Sequence, residues 1–432
     1  MMTQMQFDTF DQVVKYMESF TAKATDRDSH LERMRAIMQT LGNPQNCYKT
    51  IHLAGSKGKG STAAFLANAI EALGYKTGLY LSPHVSDYRE RFTNSGKFFD
   101  DDIMVAAGNK LKDGIDKLDF TPRTFELYTA FAFLLFREAG CSWAVIETGL
   151  GGRLDATNIL SPQAVVLTPI ELEHTEILGD TIEKIAVEKS KTIKRGIPVF
   201  ISYQKKQAMD VFLKEAEENS SPVYTLENSV VSLEERTDKN SENVKLKMGE
   251  IDTSYSLKML GIVQAYNSAL AILTLEKLGL YKMGVTEKAL EQTAIPGRLE
   301  KIEKERTVFI DGAHTKESIT NLMASFRQMF PGKTGVCIFG CIADKKYEWM
   351  SRAILDVFDK IIISKPGTFK KSNPQSLYDY MLSIKEDNKT VILLEDTKEA
   401  LEKAYALTSE DEPVLVCGSF YLAGAVKEAL CL

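Results

Sequence analysis

The sequence lacks the features that mark several large classes of protein. Its 53 lysines and arginines are outnumbered by 59 aspartates and glutamates, and the net charge of −6 argues against nucleic acid or an anionic membrane as the main partner. No apolar run approaches the ~18 residues of a membrane span. The first residues, MMTQMQFDTFDQ, do not have the basic-then-apolar order of a secretory signal. We therefore expect a cytoplasmic protein with neither a membrane nor a nucleic acid as partner.

Cysteine is scarce and shows no pattern. The six cysteines are scattered, and no two have the C-x-x-C spacing of a metal or redox motif. No internal repeat or low-complexity segment is present. The 432 residues, 44% hydrophobic and 26% charged, are typical of an enzyme with two or three domains. These features predict a reduced, monomeric protein with large apolar cores.

The most informative segment is a strand, a glycine-rich turn and a helix at residues 51–73. The turn reads GSKGKGS over residues 55–61. Backbone N–H groups in such a turn, together with the helix N-terminus, cradle phosphates. Lys59 can reach the outer phosphates, and the hydroxyl of Ser61 or Thr62 can meet Mg²⁺. Because the spacing is shorter than in the generic P-loop, the alternative is a glycine-rich turn that merely opens a helix.

Strand and helix patterns alternate along most of the chain, which predicts parallel sheets with helices on both faces. Apolar strands are predicted at 49–54, 77–81, 144–147, 164–169, 198–201, 307–311, 335–340, 360–364, 390–394 and 413–417. Helices are predicted at 60–73, 124–138, 181–193, 205–218, 264–278, 316–329, 347–357, 375–386, 397–407 and 421–430.

Two segments break this alternation. Residues 222–260 alternate polar and apolar side chains and predict an antiparallel hairpin region, and residues 293–298 predict a hinge. The expected fold is α/β with two doubly wound domains. The first, residues 1–294, is a P-loop ATPase-like domain with a parallel sheet and the small antiparallel region. The second, residues 295–432, is a smaller Rossmann-like α/β domain.

Polar residues follow several predicted strands, at the sheet edge where ligands bind in open α/β sheets. Ser82 follows one strand, Glu147 ends another, and His174 follows a third. A carboxylate at the end of a buried strand is costly unless it is paired, and Mg²⁺ beside the phosphate loop would pair with Glu147. The alternative is an ion pair between Glu147 and Arg153. In the second domain, Asp311-Gly-Ala-His314 closes the first strand.

These residues belong to motifs that together resemble those of a known family. The motifs are GSKGKGS, LSPHVSDYRERF, TFELYTAFA, ETGLGGRLDATN, EHTEILGDTIEKIAVEKS, PGRLE, DGAH and GSFYL, in order from about residue 50 to 424. The chain resembles the folylpolyglutamate synthase and dihydrofolate synthase family, within the Mur ligase superfamily of ATP-dependent amide-bond ligases. Mur ligases proper share the phosphate loop but lack ETGLGGRLDATN and the SPH…RERF segment.

The resemblance implies a mechanism and a set of site residues. ATP would phosphorylate a carboxylate of a folate or pteroate, and the amine of L-glutamate would attack the acyl phosphate, with ATP in the cleft between the domains. Contacts to ATP or glutamate are implied for Gly55, Ser56, Lys57, Gly58, Lys59, Gly60, Ser61, Thr62, Asn267, Arg298 and Asp311. Two Mg²⁺ sites are implied with the ligands Ser61, Ser82, Glu147, His174 and Lys189, the lysine being carbamylated. Catalytic roles are implied for Lys59, Lys189 and His314.

The sequence also departs from the family pattern, and it leaves alternatives open. The departures are at Glu171, Glu173, Ser190, Val263 and Thr315. We expect an enzyme that adds L-glutamate to tetrahydrofolate. One alternative is addition of glutamate to dihydropteroate, or both reactions. Another is a nucleotide-binding paralogue without ligase activity. A transport or motor ATPase is disfavoured by the second α/β unit and by the ETGLGGRLDATN segment.

Overall fold

The computed structural model describes residues 6–20, 30–332, 335–343, 345–367 and 371–431. The strands are β1 (Lys49–Ala54), β2 (Thr77–Tyr80), β3 (Phe92–Asn94), β4 (Lys97–Phe98), β5 (Trp143–Glu147), β6 (Ala164–Leu167), β7 (Val199–Ile201), β8 (Val223–Thr225), β9 (Val230–Thr237), β10 (Glu242–Met248), β11 (Ile251–Leu257), β12 (Glu300–Glu303), β13 (Thr307–Ile310), β14 (Val336–Phe339), β15 (Lys360–Ile363), β16 (Thr390–Leu393) and β17 (Val414–Cys417).

Helices alternate with these strands along the chain. They are α1 (Phe10–Glu18), α2 (His30–Thr40), α3 (Lys59–Ala72), α4 (Asp101–Ile115), α5 (Thr124–Glu138), α6 (Thr175–Leu178), α7 (Ile182–Ser190), α8 (Lys206–Glu218), α9 (Leu226–Ser229), α10 (Val263–Lys277), α11 (Val285–Gln292), α12 (Lys316–Met329), α13 (Tyr347–Leu355), α14 (Pro374–Ile384), α15 (Thr397–Leu407) and α16 (Phe420–Ala429). None of these helices has both the length and the apolar character that a membrane crossing requires.

The first sheet contains eight strands in the order β4-β3-β2-β5-β1-β6-β7-β8. The six strands β2, β5, β1, β6, β7 and β8 run parallel to one another. At one edge of the sheet, β3 pairs antiparallel with β2, and β4 pairs antiparallel with β3. Every residue of β5 and β6 is buried, because helices cover both faces of the sheet. This double burial explains why the central strands are continuous apolar runs rather than alternating ones.

Separate apolar cores fill the two faces of this sheet. One contains α1, α2, α4 and much of α5, in which residues 131–136 are fully buried. The other contains side chains of β6, β7, α7 and α8. The carboxyl ends of β1, β2, β5 and β6 lie side by side at one edge, since these strands are parallel. The loops that follow them therefore meet at that edge.

Residues 222–260 differ from the predicted hairpin. β8 joins the first sheet, parallel to β7, and only β9, β10 and β11 form a separate three-stranded sheet. β10 and β11 pair antiparallel through Met248 and Ile251, across a two-residue turn in which Gly249 has a φ of 57°. Such turns favour glycine because they need a positive φ.

The third sheet has six strands in the order β12-β13-β17-β14-β15-β16. All neighbours run parallel except β12, which is antiparallel to β13. Alternate residues of β17 contribute to two cores: Leu415 and Cys417 to the core with α12, α13 and α14, and Val414 and Val416 to the core with α15 and α16. The predicted α/β class, with two doubly wound sheets, is confirmed.

The chain forms two compact units. One contains residues up to 82, residues 88–231 and residues 267–290, and the other contains residues 83–87, residues 232–266 and the chain from residue 291. The boundary between residues 294 and 295 remains a prediction. The sequence patterns did not predict α1, α2, α4, α6, α9, α11, β3, β4 or β12.

Candidate active site

The glycine-rich turn after β1 is packed closely against its neighbours. Gly55 has a φ of +154° and Gly58 a φ of +83°, values that favour glycine. A Cβ on Gly55 would lie 1.9 Å from Thr168 Oγ1, and one on Gly58 would lie 2.4 Å from Asn267 Oδ1. Neither position can accept a side chain without movement of its neighbours. The structure therefore places Asn267, a predicted ligand contact, directly against the turn.

The N-terminus of α3 follows this turn. Gly58 occupies the N-cap position, and glycine has no side chain to cap the first N–H groups of the helix. Gly60, Ser61 and Thr62 are buried in the first helical turn. The free N–H groups and the positive end of the helix dipole form a binding position for an anion. The predicted phosphate loop therefore has the backbone form that phosphate binding requires.

Lys59 lies across the turn and reaches Glu147. Its Nζ donates to the carbonyl oxygens of Gly55 at 2.9 Å and Ser56 at 3.3 Å. The same atom is 3.8 Å from Glu147 Oε1. Glu147 ends β5 and is buried, and its Oε2 accepts a hydrogen bond from the backbone N of Ser82 at 3.0 Å. Residues that the sequence assigned to phosphate and metal binding thus lie in contact.

Lys189 completes a charged cluster on the same turn. It is only 1% exposed, and its Nζ donates to Gly55 O at 2.7 Å and to Glu173 Oε1 at 3.3 Å. The other carboxylate oxygen of Glu173 is 3.7 Å from Lys57 Nζ. Burial, assisted by the charge of Lys59, lowers the pKa of Lys189 to about 8. Burial alone would raise the pKa of Glu173, but the neighbouring lysines lower it to about 2.

His174 lies beside this cluster. It is exposed at the start of α6 and has a φ of 49°, a left-handed conformation that few residues other than glycine adopt. Its charge adds to the lowering of the Glu173 pKa, after the larger effects of burial and the lysines. The predicted metal ligand is therefore near the lysine–carboxylate cluster.

Buried hydroxyl groups around the turn bear on whether Mg²⁺ fits. Those of Thr62, Thr148 and Thr168 have no hydrogen-bond partner within the described ranges. Mg²⁺ prefers such oxygen ligands, and Glu147 adds a carboxylate. No group of three or more His, Cys, Asp or Glu side chains in the described part of the chain could hold a metal ion. The residues fit Mg²⁺ that is shared with hydroxyl and phosphate oxygens, rather than an all-protein metal site.

The loop after β5 joins Glu147 to α7. Asp155 Oδ2 accepts hydrogen bonds from the backbone N of Gly149 and of Leu150, both at 2.9 Å. Arg153 donates from its backbone N to Glu188 O at 2.8 Å and from Nε to the Glu188 carboxylate at 2.9 Å. The alternative ion pair between Glu147 and Arg153 is therefore wrong, because Arg153 pairs with Glu188 on α7.

In the second unit, Asp311 supports the backbone after β13. Its Oδ1 accepts from the backbone N of Ala313 at 2.7 Å, and its Oδ2 accepts from the backbone N of Leu299 at 2.7 Å. Both oxygens of the carboxylate are used in this way. Asp311 thus connects the PGRLE segment to the DGAH segment.

His314 and Arg298 lie around one aromatic ring. The ring of His314 is 6.0 Å from that of Phe420, and the Arg298 guanidinium lies over Phe420 at 4.6 Å. His314 Nδ1 donates to Gly312 O at 2.7 Å, because a carbonyl oxygen can only accept. The structure therefore brings Arg298, a predicted contact to nucleotide or glutamate, together with His314, a predicted catalytic residue.

Two parts of the first unit's site were missed from the sequence. Glu173 was identified only as a departure from the family pattern, although a carboxylate in the loop that follows the buried strand β6 is itself a signal of a charged partner. The side chains of Asp155, Thr157 and His52 were not chosen. The contact between His52 and Thr157 joins segments 105 residues apart. Only the fold brings those segments together.

Comparison with known proteins identifies the class of this chain. Residues 53–275 match the family model of the Mur ligase middle domain, and residues 297–420 match that of the Mur ligase glutamate ligase domain. The chain belongs to the Mur ligase family, in its folylpolyglutamate synthase and dihydrofolate synthase group.

Individual relatives cover almost the full length of the chain. It is 32% identical to the dihydrofolate synthase/folylpolyglutamate synthase of Bacillus subtilis, over 93% of this chain and 94% of that protein. The folylpolyglutamate synthase structure from Thermotoga maritima has a TM-score of 0.85 at 30% identity and covers 98% of this chain and 96% of that one. A folylpolyglutamate synthase complex with AMPPCP and folate has a TM-score of 0.83 at 28% identity, covering 99% of this chain and 100% of that one.

Proposed function

We propose that this protein is an ATP-dependent ligase that joins L-glutamate to a reduced folate through an acyl phosphate. The observation that carries the proposal is the buried cluster on the glycine-rich turn, in which Lys59 and Lys189 both donate to Gly55 O. The part-buried cation of Lys59 and the free helix N-terminus beside it form a site for a polyanion. Relatives named as folylpolyglutamate synthases, one solved with AMPPCP and folate, support ATP and folate as substrates.

The residues of the first unit bind and orient ATP in this proposal. Backbone N–H groups of residues 58–61 contact the phosphates, because those of Ser56 and Lys57 already donate to Pro169 O. Lys59 exchanges its carbonyl partners for phosphate oxygens. Ser61, Ser82, Glu147 and His174 hold Mg²⁺, which when bound offsets the charge that develops on the transferred phosphoryl group. The carboxylate oxygen of the folate attacks the γ-phosphorus, and ADP leaves.

The residues of the second unit act on glutamate. Arg298 supplies a cation for a carboxylate, and Asp311 holds the backbone that carries His314. In the neutral imidazole, a proton on Nδ1 makes Nε2 the basic nitrogen. This nitrogen accepts the proton that the glutamate ammonium must lose before its amine attacks the acyl phosphate. The carbon–oxygen bond then breaks, and inorganic phosphate leaves.

Lys189 is proposed to react with CO₂, giving a carbamate and one proton, and to hold a second Mg²⁺. Only the neutral amine reacts, and the pKa of about 8, lowered first by burial, raises its fraction at neutral pH. Glu173, in contrast, stabilises the ammonium form. A ¹³C NMR spectrum recorded with ¹³C-labelled bicarbonate tests this proposal. A carbamate signal is expected in the parent and not in Lys189→Ala. The same spectrum for both would contradict the carbamate.

The acceptor has a second candidate. The Bacillus subtilis relative is named for both the dihydrofolate and the folylpolyglutamate reactions, which favours dihydropteroate as an additional acceptor. A paralogue without ligase activity is disfavoured, because Lys59, Glu147, His174 and Lys189 are all present. The two remaining candidates differ only in the carboxylate that is activated.

A panel of acceptors tests the proposal. Purified protein is incubated with Mg-ATP, L-glutamate and either tetrahydrofolate, dihydropteroate or no acceptor, and products are identified by mass spectrometry. A product heavier by one glutamyl residue, with acceptor-dependent phosphate release, is expected. ATP hydrolysis without an amide product would contradict a ligase and would favour the paralogue.

A further inference from the structure

Asp155 is the single carboxylate of the loop at residues 148–158. It is 5% exposed and accepts four hydrogen bonds. Two come from the backbone N of Gly149 and Leu150, two and three residues after Glu147. The other two come from Thr157, from its backbone N at 3.0 Å and its Oγ1 at 2.5 Å. The Asp155 carboxylate therefore connects the start of the loop, at residues 149 and 150, to its end at Thr157.

The Thr157 hydroxyl extends this series of hydrogen bonds from Asp155 to the centre of the sheet. It lies 2.8 Å from Nε2 of His52, a fully buried residue of β1. The hydroxyl has a single hydrogen, which it donates to Asp155, so it accepts from His52 Nε2–H. Burial, with a smaller effect of Lys194, lowers the pKa of His52 to about 3, so the ring is neutral and Nδ1 carries no proton. Within the described residues, Nδ1 has no hydrogen-bond partner.

The far side of the loop is held against α7, beside Lys189. Gly152 has no room for a side chain, since a Cβ there would lie 2.8 Å from Glu188 O and 2.9 Å from Lys189 Cα. Asn158 Nδ2 donates to Arg153 O and to Lys191 O, both at 3.1 Å. The position of the loop therefore determines where the backbone of Lys189 lies.

We infer that His52 and Thr157 are positioning residues for the ligase. Through Asp155 they hold the loop that joins Glu147 to Lys189, and so they maintain the spacing between the carboxylate that meets the metal–nucleotide and the lysine beside the phosphates. His52 lies behind the loop and Thr157 near its end, and both act only through the loop. The inference rests on the proposed function, because that function defines the groups that must be spaced.

The inference can be tested by replacing the Thr157 hydroxyl with a methyl group. Thr157→Val keeps the shape of the side chain but removes both hydroxyl bonds, whereas Thr157→Ser restores the hydroxyl. Thr274→Val is a matched control, since Thr274 is a fully buried threonine on α10 whose hydroxyl, among the described residues, bonds only to Leu270 O at 2.8 Å. If the Thr157 variant does not fold, His52→Gln, which retains a donor, is compared with His52→Leu, which does not.

The experiment measures binding as well as turnover. Mn²⁺ is titrated by electron paramagnetic resonance with ADP present, and kcat and KM for ATP are measured at saturating Mg²⁺. Loss of groups that orient metal ligands typically weakens metal binding about 10–100-fold. We expect a loss of this size for Thr157→Val, recovery in Thr157→Ser, and parental Mn²⁺ binding in Thr274→Val.

Two outcomes separate this inference from the proposed function. Parental Mn²⁺–ADP affinity in folded Thr157→Val, or in His52→Leu, would overturn the positioning role. Equal weakening in Thr157→Val and Thr274→Val would also overturn it, because it would show a general effect of instability. A parent that binds Mn²⁺–ADP but forms no glutamylated product would instead overturn the proposed function, and the Mn²⁺ titration would still decide the positioning role.

Discussion

The carboxyl edges of the two large sheets use charged side chains in different ways. At the edge of the first sheet, part-buried Lys59 and buried Lys189 donate to backbone carbonyls of the glycine-rich turn and lie within 4 Å of a carboxylate. At the edge of the second, the carboxylates of Asp311 and Glu300 accept backbone N–H groups of residues 297–313. The first arrangement places cations where an anion can bind. The second holds a backbone segment in place.

The difference shows that similar motifs after strands need not have similar roles. A lysine that bonds only to carbonyl oxygens can exchange them for stronger phosphate acceptors. A carboxylate that accepts two backbone N–H groups has no comparable exchange, because its loss leaves those groups unpaired. Substitution of the lysines at the first edge should therefore change activity, and substitution of the backbone-binding carboxylates at the second should change stability.

Lys59→Ala should have the largest effect and should act on catalysis. Removal of one positioned charge or donor from a developing anion typically lowers kcat about 10²–10³-fold. Stability should change by less than about 1 kcal/mol. Both are measured by steady-state kinetics and urea unfolding, with Lys206→Ala, an exposed lysine paired with Asp210, as the control. Normal turnover in Lys59→Ala would show that Lys59 does not bind the phosphates. A large fall in stability would show that its role is structural.

Asp311→Ala should have the second-largest effect and should act on stability. It leaves the N–H groups of Leu299 and Ala313 without their acceptor, and hydrogen bonds to charged groups are worth about 2 kcal/mol. We expect a lower urea midpoint, with a smaller decrease in Asp311→Asn, which keeps one acceptor oxygen. If Asp311→Ala keeps the parental stability but loses activity, Asp311 would act on catalysis as Lys59 does. The proposed difference between the two sheet edges would then be wrong.

The smallest expected effect concerns the acid stability of the first edge. The pKa of Glu173 falls from 4.5 to about 2 on folding, since the neighbouring lysines outweigh the opposing effect of burial. The unfolded chain therefore binds the proton first, and the stabilisation present above pH 4.5 is lost as the pH falls toward 2. Urea midpoints measured from pH 6 downward should fall less steeply in Glu173→Gln than in the parent. Exposed Glu217→Gln should follow the parent, and identical slopes for Glu173→Gln and the parent would contradict the account.

Much of the fold follows from local sequence patterns. The central strands of both large sheets are mostly apolar runs, and α5, α12 and α15 begin and end where the periodicity predicts. β12 and β4 were missed because short strands with charged residues resemble loops. β8 was assigned to the hairpin region, because three residues cannot show which sheet they join. α4 was missed because glycines at 108 and 114 interrupt its pattern, although both pack against apolar side chains.

The site was less accessible from the sequence. Residues close in the chain, such as those of the glycine-rich turn, could be chosen from their spacing. The pairing of Glu173 with lysines from two other segments could not, because it depends on how β1, β6 and α7 are arranged. The same holds for His52 and Thr157, which are 105 residues apart and touch only in the folded chain.

Transfer of ¹⁸O tests the central claim, that the carboxylate of the acceptor is phosphorylated, most directly. An acceptor labelled with ¹⁸O in its free carboxylates is converted in the presence of Mg-ATP and L-glutamate, and the released phosphate is analysed by mass spectrometry. The account predicts one ¹⁸O atom in each phosphate formed together with amide product, because the bridging oxygen of the acyl phosphate leaves with phosphorus. Phosphate that contains no ¹⁸O would show that water attacks ATP, and it would contradict the account.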